Sequence, residues 1–314
     1  MPRIVSSLEE LVGDTPLLQL PSSSGRLLAK LEMFNPLSSV KDRAALNMIR
    51  GAERDGRLHS GVTVVEATSG NTGISVAALC AVRGYRCVLV MPDNATEERR
   101  RILRAFGAEL VLSPHQDGLV GTMARAREVA DGVPGAIYLG QDANPHNPAA
   151  HYASTGPEIW TACEGRVDAF VCGVGTGGTL TGTARYLKER ANVHVVAIEP
   201  DGSPVLSGGE RGTHRIPGIG GGIVQDNTDV DFIDEVLRVT DEQAAATTVS
   251  LARELGLFVG VSSGAAVHAA RTVAARPEWA GKTVVTILPD TGERYLSIWD
   301  TLGGTETEEI GRAA

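Results

Sequence analysis

Four stretches of this chain bring together side chains that could do chemistry. The first is Gly175-Thr176-Gly177-Gly178-Thr179, between an apolar run and a helical pattern. Glycines let successive backbone N–H groups converge, a helix N-terminus adds a favourable field for an anion, and the two threonines add hydroxyl donors. No lysine follows the last glycines, so this is not a Walker A loop. The second, Thr68-Ser69-Gly70-Asn71-Thr72-Gly73, again opens a helix after a β-branched run and offers hydroxyls, an amide and free N–H groups, equipment for gripping a carboxylate. The third, Ser38-Ser39-Val40-Lys41-Asp42-Arg43, sets an amine at a helix entrance. The fourth, Pro289-Asp290-Thr291-Gly292, is another strand-end turn with a hydroxyl.

Gly173, Gly175 and Gly178 also fit G-x-G-x-x-G, and Glu199 lies about where a ribose-binding acid would sit. Alone, that stretch admits a nicotinamide-linked oxidoreductase, but this reading leaves Lys41, Asn71 and Thr291 without roles. An amine, a phosphate cradle, a carboxylate grip and a hydroxyl share a more economical explanation. It is pyridoxal phosphate held by Lys41, with an amino-acid substrate beside it.

The elements that must position these residues read clearly. Ala45, Met48, Ile49 and Ala52 form an apolar stripe for a helix over about residues 42–55. Apolar, strand-like runs at 62–66, 87–91, 110–112, 137–139, 167–172, 193–198 and 284–288 alternate with helical patterns, one of them over 148–163 and the last after Gly264. The spacing predicts an α/β protein of two domains, parallel sheets covered by helices. The Gly-, Ser- and Pro-rich stretch 200–225 is too long for an ordinary connection and reads as a functional loop. With 37 glycines and only 4% aromatic residues, the composition suits tight strand–helix turns. The formal charge of −9 and the absence of a long basic cluster argue against a nucleic-acid partner. Cys80, Cys87, Cys163 and Cys172 form no C-x-x-C pair and read as buried thiols, not metal ligands. No apolar run reaches membrane-spanning length and no signal-peptide core stands at the start, so the expected location is the cytoplasm.

These motifs, in this order over residues 8 to 300, resemble the cysteine synthase (O-acetylserine sulfhydrylase) and cystathionine β-synthase family, the fold type II pyridoxal-phosphate enzymes. Thr15-Pro16-Leu17, Ser39 to Arg43, Thr68 to Gly73 and Gly175 to Thr179 carry the resemblance. It implies a Schiff base on Lys41 and a hydrogen bond from Asn71 to the cofactor's phenolic oxygen. Gly175, Thr176, Gly177, Gly178 and Thr179 would hold the phosphate, and Thr291 would face the pyridine nitrogen. Thr68, Ser69, Gly70, Thr72 and Gln141 would hold the substrate carboxylate, with Gly220 in a mobile glycine loop. A neutral hydroxyl at the ring nitrogen makes a weaker electron sink than a carboxylate would. That favours β-elimination to an aminoacrylate, then addition of a nucleophile, with O-acetylserine and sulfide the first expectation. O-Phosphoserine as donor, or another nucleophile, stays open.

The resemblance also implies a homodimer. It implies a smaller domain over 36–145, inserted into a larger one of 1–35 plus 146–314, with the cofactor in the cleft. Asp142 stands where relatives usually carry an aromatic residue, and Ile223 where many carry Phe. Asp142 is either a pocket acid that repels anions and attracts cations, or a turn acid pointing to solvent.

Overall fold

The computed structural model describes residues 4–68 and 70–299. Among the described residues ten strands form two sheets. β1 (Leu17–Leu20) and β2 (Arg26–Leu31) make an antiparallel pair at one edge of a six-stranded sheet. Then come α1 (Lys41–Arg54), β3 (Thr63–Ala67), α2 (Asn71–Arg83), β4 (Arg86–Pro92) and α3 (Glu97–Ala105). β5 (Glu109–Ser113), α4 (Gly118–Gly132) and β6 (Ile137–Tyr138) complete a four-stranded parallel sheet in the order β5-β4-β3-β6. α5 (His146–Ala153), α6 (Thr155–Ala162), β7 (Ala169–Gly173), α7 (Gly178–Lys188) and β8 (His194–Pro200) follow. The remainder is β9 (Glu235–Val239), α8 (Asp241–Leu255), α9 (Val261–Ala274), β10 (Thr283–Leu288) and the short α10 (Leu296–Trp299). The larger sheet runs β1-β2-β10-β7-β8-β9, parallel from β2 onward.

Burial explains the order. Every residue of β3 and of β10 is buried, as expected of central parallel strands with helices on both faces. The edge strand β9 exposes one residue and half-buries three, and its charged alternation Glu-Val-Leu-Arg-Val gives no continuous apolar run to read from sequence. The predicted stripe of α1 holds: Ala45, Met48, Ile49 and Ala52 are fully buried in one core with Val64, Leu79, Leu89 and Met91. α1 therefore belongs with the smaller sheet.

Two predicted helices differ. The 148–163 helix is broken at Ser154, whose backbone leaves the helical region (φ −133°, ψ −65°). Pro157 has no N–H to give, so it is accommodated in the first turn of a new helix. The last long helix begins at Val261, before Gly264. Gly264 is instead a point of helix–helix contact, since a Cβ there would lie 2.0 Å from Thr248 Oγ1 on α8.

A buried ionic cluster ties the start of α1 to the larger sheet. Arg43 forks onto Glu32 (2.7 and 2.9 Å) and onto Glu158 (2.6 and 2.7 Å), and Lys30 reaches Glu158 at 2.6 Å. Burial alone would raise the Glu158 carboxyl, but the two cations hold it at about 2. Charge pairs of this kind fix position more dependably than they add stability.

Candidate active site

The carboxyl ends of β3, β7 and β10 each open into one of the sequence motifs, the edge where open α/β sheets place ligands. The loop before α1 meets them there. Ser38 adopts a left-handed conformation (φ +60°), Ser39 bridges to Asp290, and the Val40 N–H donates to Pro289 O at 2.8 Å. Lys41 is thereby the first residue of α1 and faces a cavity also lined by Asn71, Cys172, Gly175, Thr176, Gly177, Thr179, Ser262 and Asp290. Burial pulls the Lys41 amine below the ordinary lysine range, against the opposing pull of Asp290, Cys172 and Asp142. A second cavity of about 320 Å³ adjoins the first, sharing Lys41, Asn71, Gly175 and Thr176 and adding Thr68, Gly70, Thr72, Gln141, Asp142 and Gly220.

The first cavity ends on the N-terminus of α7. Its approach is backbone with no room for side chains. A Cβ on Gly175 would lie 2.4 Å from Gly218 O, one on Gly178 2.1 Å from Asn147 Oδ1, and one on Gly177 (φ +81°) 2.1 Å from Thr228 Oγ1. Gly178 itself does not line the cavity; it seats the helix start against Asn147. Asn147 Nδ2 donates to Thr176 Oγ1 at 3.0 Å. His151, fully buried, lies between Thr155 Oγ1 (2.9 Å) and Thr179 Oγ1 (3.2 Å). Burial, with Arg43 and Lys41 adding to it, holds that imidazole well below its usual range, so it is neutral.

The second cavity ends on the N-terminus of α2. Here the Thr68 hydroxyl oxygen accepts from Gly70 N (3.1 Å) and Gly73 N (3.0 Å), so it braces the loop. Thr72 Oγ1 donates to Gln141 Oε1 at 2.6 Å, and Gln141 Nε2 donates to Ala67 O at 3.0 Å. With the Gly73 N–H taken by Thr68, the N–H groups of Asn71 and Thr72 precede the first intrahelical bond and are the ones left for an anion. Ser69 lies outside the described residues. Beneath the loop is Glu66, which the sequence did not single out. Burial, with Asp142 adding to it, pushes its carboxyl up to about 8, and it accepts from Ala67 N (3.0 Å) and Gln141 N (3.3 Å).

Thr291 lines neither cavity; its backbone bridges to Val259, while its neighbour Asp290 and Ser262 of α9 face the first cavity. Asp290, also missed, is buried. Its Oδ2 accepts from Asn71 Nδ2 (2.6 Å) and from the Tyr295 hydroxyl (2.5 Å), while Oδ1 has no hydrogen-bond partner. Arg294 donates to Asn71 Oδ1, so the Asn71 amide is held in one orientation from both ends. Ile223 is 37% exposed and lines neither cavity. Of the two readings of Asp142, burial excludes the solvent-facing turn acid, for the residue is 4% exposed. Glu199 braces the start of the long loop, where it accepts from the N–H groups of Leu206 (2.7 Å) and Ser207 (3.1 Å). Cys172 lines the first cavity, but burial pushes its thiol up to about 12, which removes it as a nucleophile. Among the described residues no His/Cys/Asp/Glu group is arranged to hold a metal ion.

A phosphate cradle made of backbone, a buried amine and an orphaned polar oxygen opposite define a site for a phosphorylated, aldehyde-bearing cofactor. The family model described as pyridoxal-phosphate dependent enzyme matches residues 8–290, and the chain belongs to that family. Its cofactor is pyridoxal phosphate, and the residues present fit it. A cysteine synthase of Staphylococcus aureus is 44% identical over 299 residues, covering 93% of this chain and 96% of the relative. The crystal structure of a cysteine synthase (OASS) from Entamoeba histolytica superposes with TM-score 0.91 at 41% identity, covering 94% of this chain and 90% of that one. That of an O-ureido-L-serine synthase gives 0.93 at 40% identity, covering 98% of each. Among the described residues no helix is long and apolar enough to cross a membrane.

Proposed function

We propose that this enzyme performs β-replacement on O-acetyl-L-serine, with sulfide entering and acetate leaving to give L-cysteine. The observation that carries the proposal is the pair of adjoining cavities that share Lys41, one ending on the phosphate-type helix start of α7 and the other on the carboxylate-type start of α2. When bound, the cofactor supplies the electron sink that makes the Cα–H bond acidic and the β-substituent a leaving group. Gly175, Thr176, Gly177 and Thr179, with Gly178 seating the helix, anchor its phosphate. Asn71, its amide fixed by Asp290 and Arg294, presents its remaining N–H toward the cavity. Ser262 supplies a neutral hydroxyl at the far wall.

The N–H groups that open α2, with Thr72 and Gln141, orient the substrate carboxylate. Lys41 Nζ, kept in its low range by burial, takes the proton from Cα as the Cβ–O bond breaks, and returns it to Cα after the Cβ–S bond has formed. Gly218, Gly220 and Gly221 line the second cavity, and in the reaction their loop closes over the bound substrate to exclude water. The protein is read further as a cytoplasmic homodimer in which residues 36–145 move as one body against the rest.

Incubating purified protein with O-acetyl-L-serine and sulfide tests this: cysteine and acetate form in equal amounts. Cysteine from O-phospho-L-serine but not from the acetyl ester would reassign the donor. A colourless protein that binds a nicotinamide nucleotide would overturn the proposal.

A further inference from the structure

Asp142 is a carboxylic acid in the wall of the cavity where the incoming nucleophile must stand, and nothing in the reaction proposed above uses it. It lines the cavity with Lys41, Thr72 and Gln141, is 4% exposed, and its Oδ2 has no hydrogen-bond partner. A buried carboxylate oxygen left unpaired costs free energy, so it is retained in a folded protein only where something else satisfies it. Its position is set firmly. Asp142 O accepts from Asn227 N at 3.2 Å, and the adjoining Gln141 O accepts from Asn147 Nδ2 and Asn227 Nδ2, both at 2.8 Å. The acid is therefore presented on rigid backbone, the condition for using it in recognition.

The charged groups around Asp142 do not neutralise it once the cofactor is in place. Burial raises its carboxyl above the ordinary range; Lys41 pulls it back down from across the cavity, but that amine is committed to the cofactor. Arg127 acts from the far side, where a separate pocket of about 330 Å³ lies between it, Tyr138 and Asp142. Asp226 adds negative charge beside it, while Glu66 behind it keeps its proton up to about pH 8. The Tyr138 hydroxyl in that pocket is also buried without a partner. An anion approaching Cβ along this wall meets a carboxylate, whereas a cationic hydrogen-bond donor finds an unpaired acceptor.

We infer that Asp142 is a specificity-determining residue for the second substrate, favouring a nucleophile that carries a cationic, amidine- or guanidine-like donor group over anionic nucleophiles of similar size. The inference rests on the β-replacement reading. The added bond is the same Cβ–S bond, acetate again leaves with the electron pair, and the thiol proton is lost to solvent.

The test uses three thiols of similar size with O-acetyl-L-serine and the holoenzyme: 2-mercaptoethylguanidine, 2-mercaptoethanol and 3-mercaptopropionate. For wild type, kcat/KM falls in that order. Asp142→Asn, nearly isosteric, narrows the ratio between the guanidine and the carboxylate by on the order of tenfold or more, as loss of a charge-assisted hydrogen bond requires. Asp142→Glu, which keeps the charge, keeps the order. Should Asp142→Asn not fold, Asp142→Ser is read in the same way. A wild-type enzyme that treats the cation and the anion alike, or a ratio unchanged by loss of the carboxylate, overturns the inference. If no thiol yields product, the β-replacement reading has failed, and calorimetry with the S-methyl derivatives decides the recognition separately. Tighter binding of the methylated guanidine to wild type than to Asp142→Asn supports a cation-selective wall; equal affinities overturn it.

Discussion

The starts of α7 and α2 are two solutions to holding an anion at a strand end, and they are built differently. At α7 the cradle is backbone packed so closely that Gly175, Gly177 and Gly178 each sit within 2.4 Å of a foreign atom, counted from where a Cβ would be. At α2 the grip is made of side chains braced by one another, Thr72 on Gln141 and Thr68 on its own loop, and a Cβ on Gly70 would meet nothing within 4 Å. A group that stays bound through every turnover suits a preformed rigid seat. A substrate that must enter and leave suits a grip with room to adjust. The difference supports the proposal that the resident phosphate sits at α7 and the exchanging carboxylate at α2.

The comparison breaks first at Gly177. Replacing it with Ala places a methyl group against Thr228 in a left-handed backbone, strain of about 1–3 kcal/mol before the overlap is counted. Affinity for pyridoxal phosphate, measured by dialysis and absorbance, falls by on the order of a hundredfold, and KM for the donor is affected only through cofactor loss. Gln141→Ala sharpens the opposite half. Thr72 loses its acceptor, KM for the donor rises by on the order of tenfold, and cofactor affinity stays within about twofold. Equal effects of both variants on cofactor retention would erase the distinction between the two ends.

Glu66 is read out differently, as stability against pH. Its carboxyl is raised to about 8 in the folded protein against an ordinary 4.5, so the folded state holds the extra proton between those values. Wild type therefore loses stability as pH rises from about 5 to 8, by on the order of a few kcal/mol, whereas Glu66→Gln does not. Melting temperatures of the two proteins across that range check the sign. Parallel curves would show that Glu66 is ionised throughout.

What the sequence disclosed and what it hid follow the same physics. Lys41 and the two helix starts were legible because glycine, threonine and a first-turn acid are forced there by turn geometry. Ser262 was hidden because Gly264 looked like a helix entrance, when it marks where α9 and α8 touch. Thr291 and Asp290 are neighbours in extended backbone, so their side chains turn to opposite faces, and the letters alone do not say which of the two faces the cavity. Asp290 and Glu66 left no local signal, since a buried acid and a surface acid have the same letter. The break at Ser154 was foreshadowed only by Pro157, and β9 only by a short charged alternation. For Asp142 the sequence offered two readings, and burial decided between them.

All of these assignments depend on Lys41 being the residue that carries the cofactor. Reducing the native holoenzyme with borohydride and sequencing its peptides by mass spectrometry tests this directly. The account predicts a phosphopyridoxyl group fixed on Lys41 alone, with the label absent from Lys41→Ala. An unmodified Lys41 in enzyme that still turns over would contradict it.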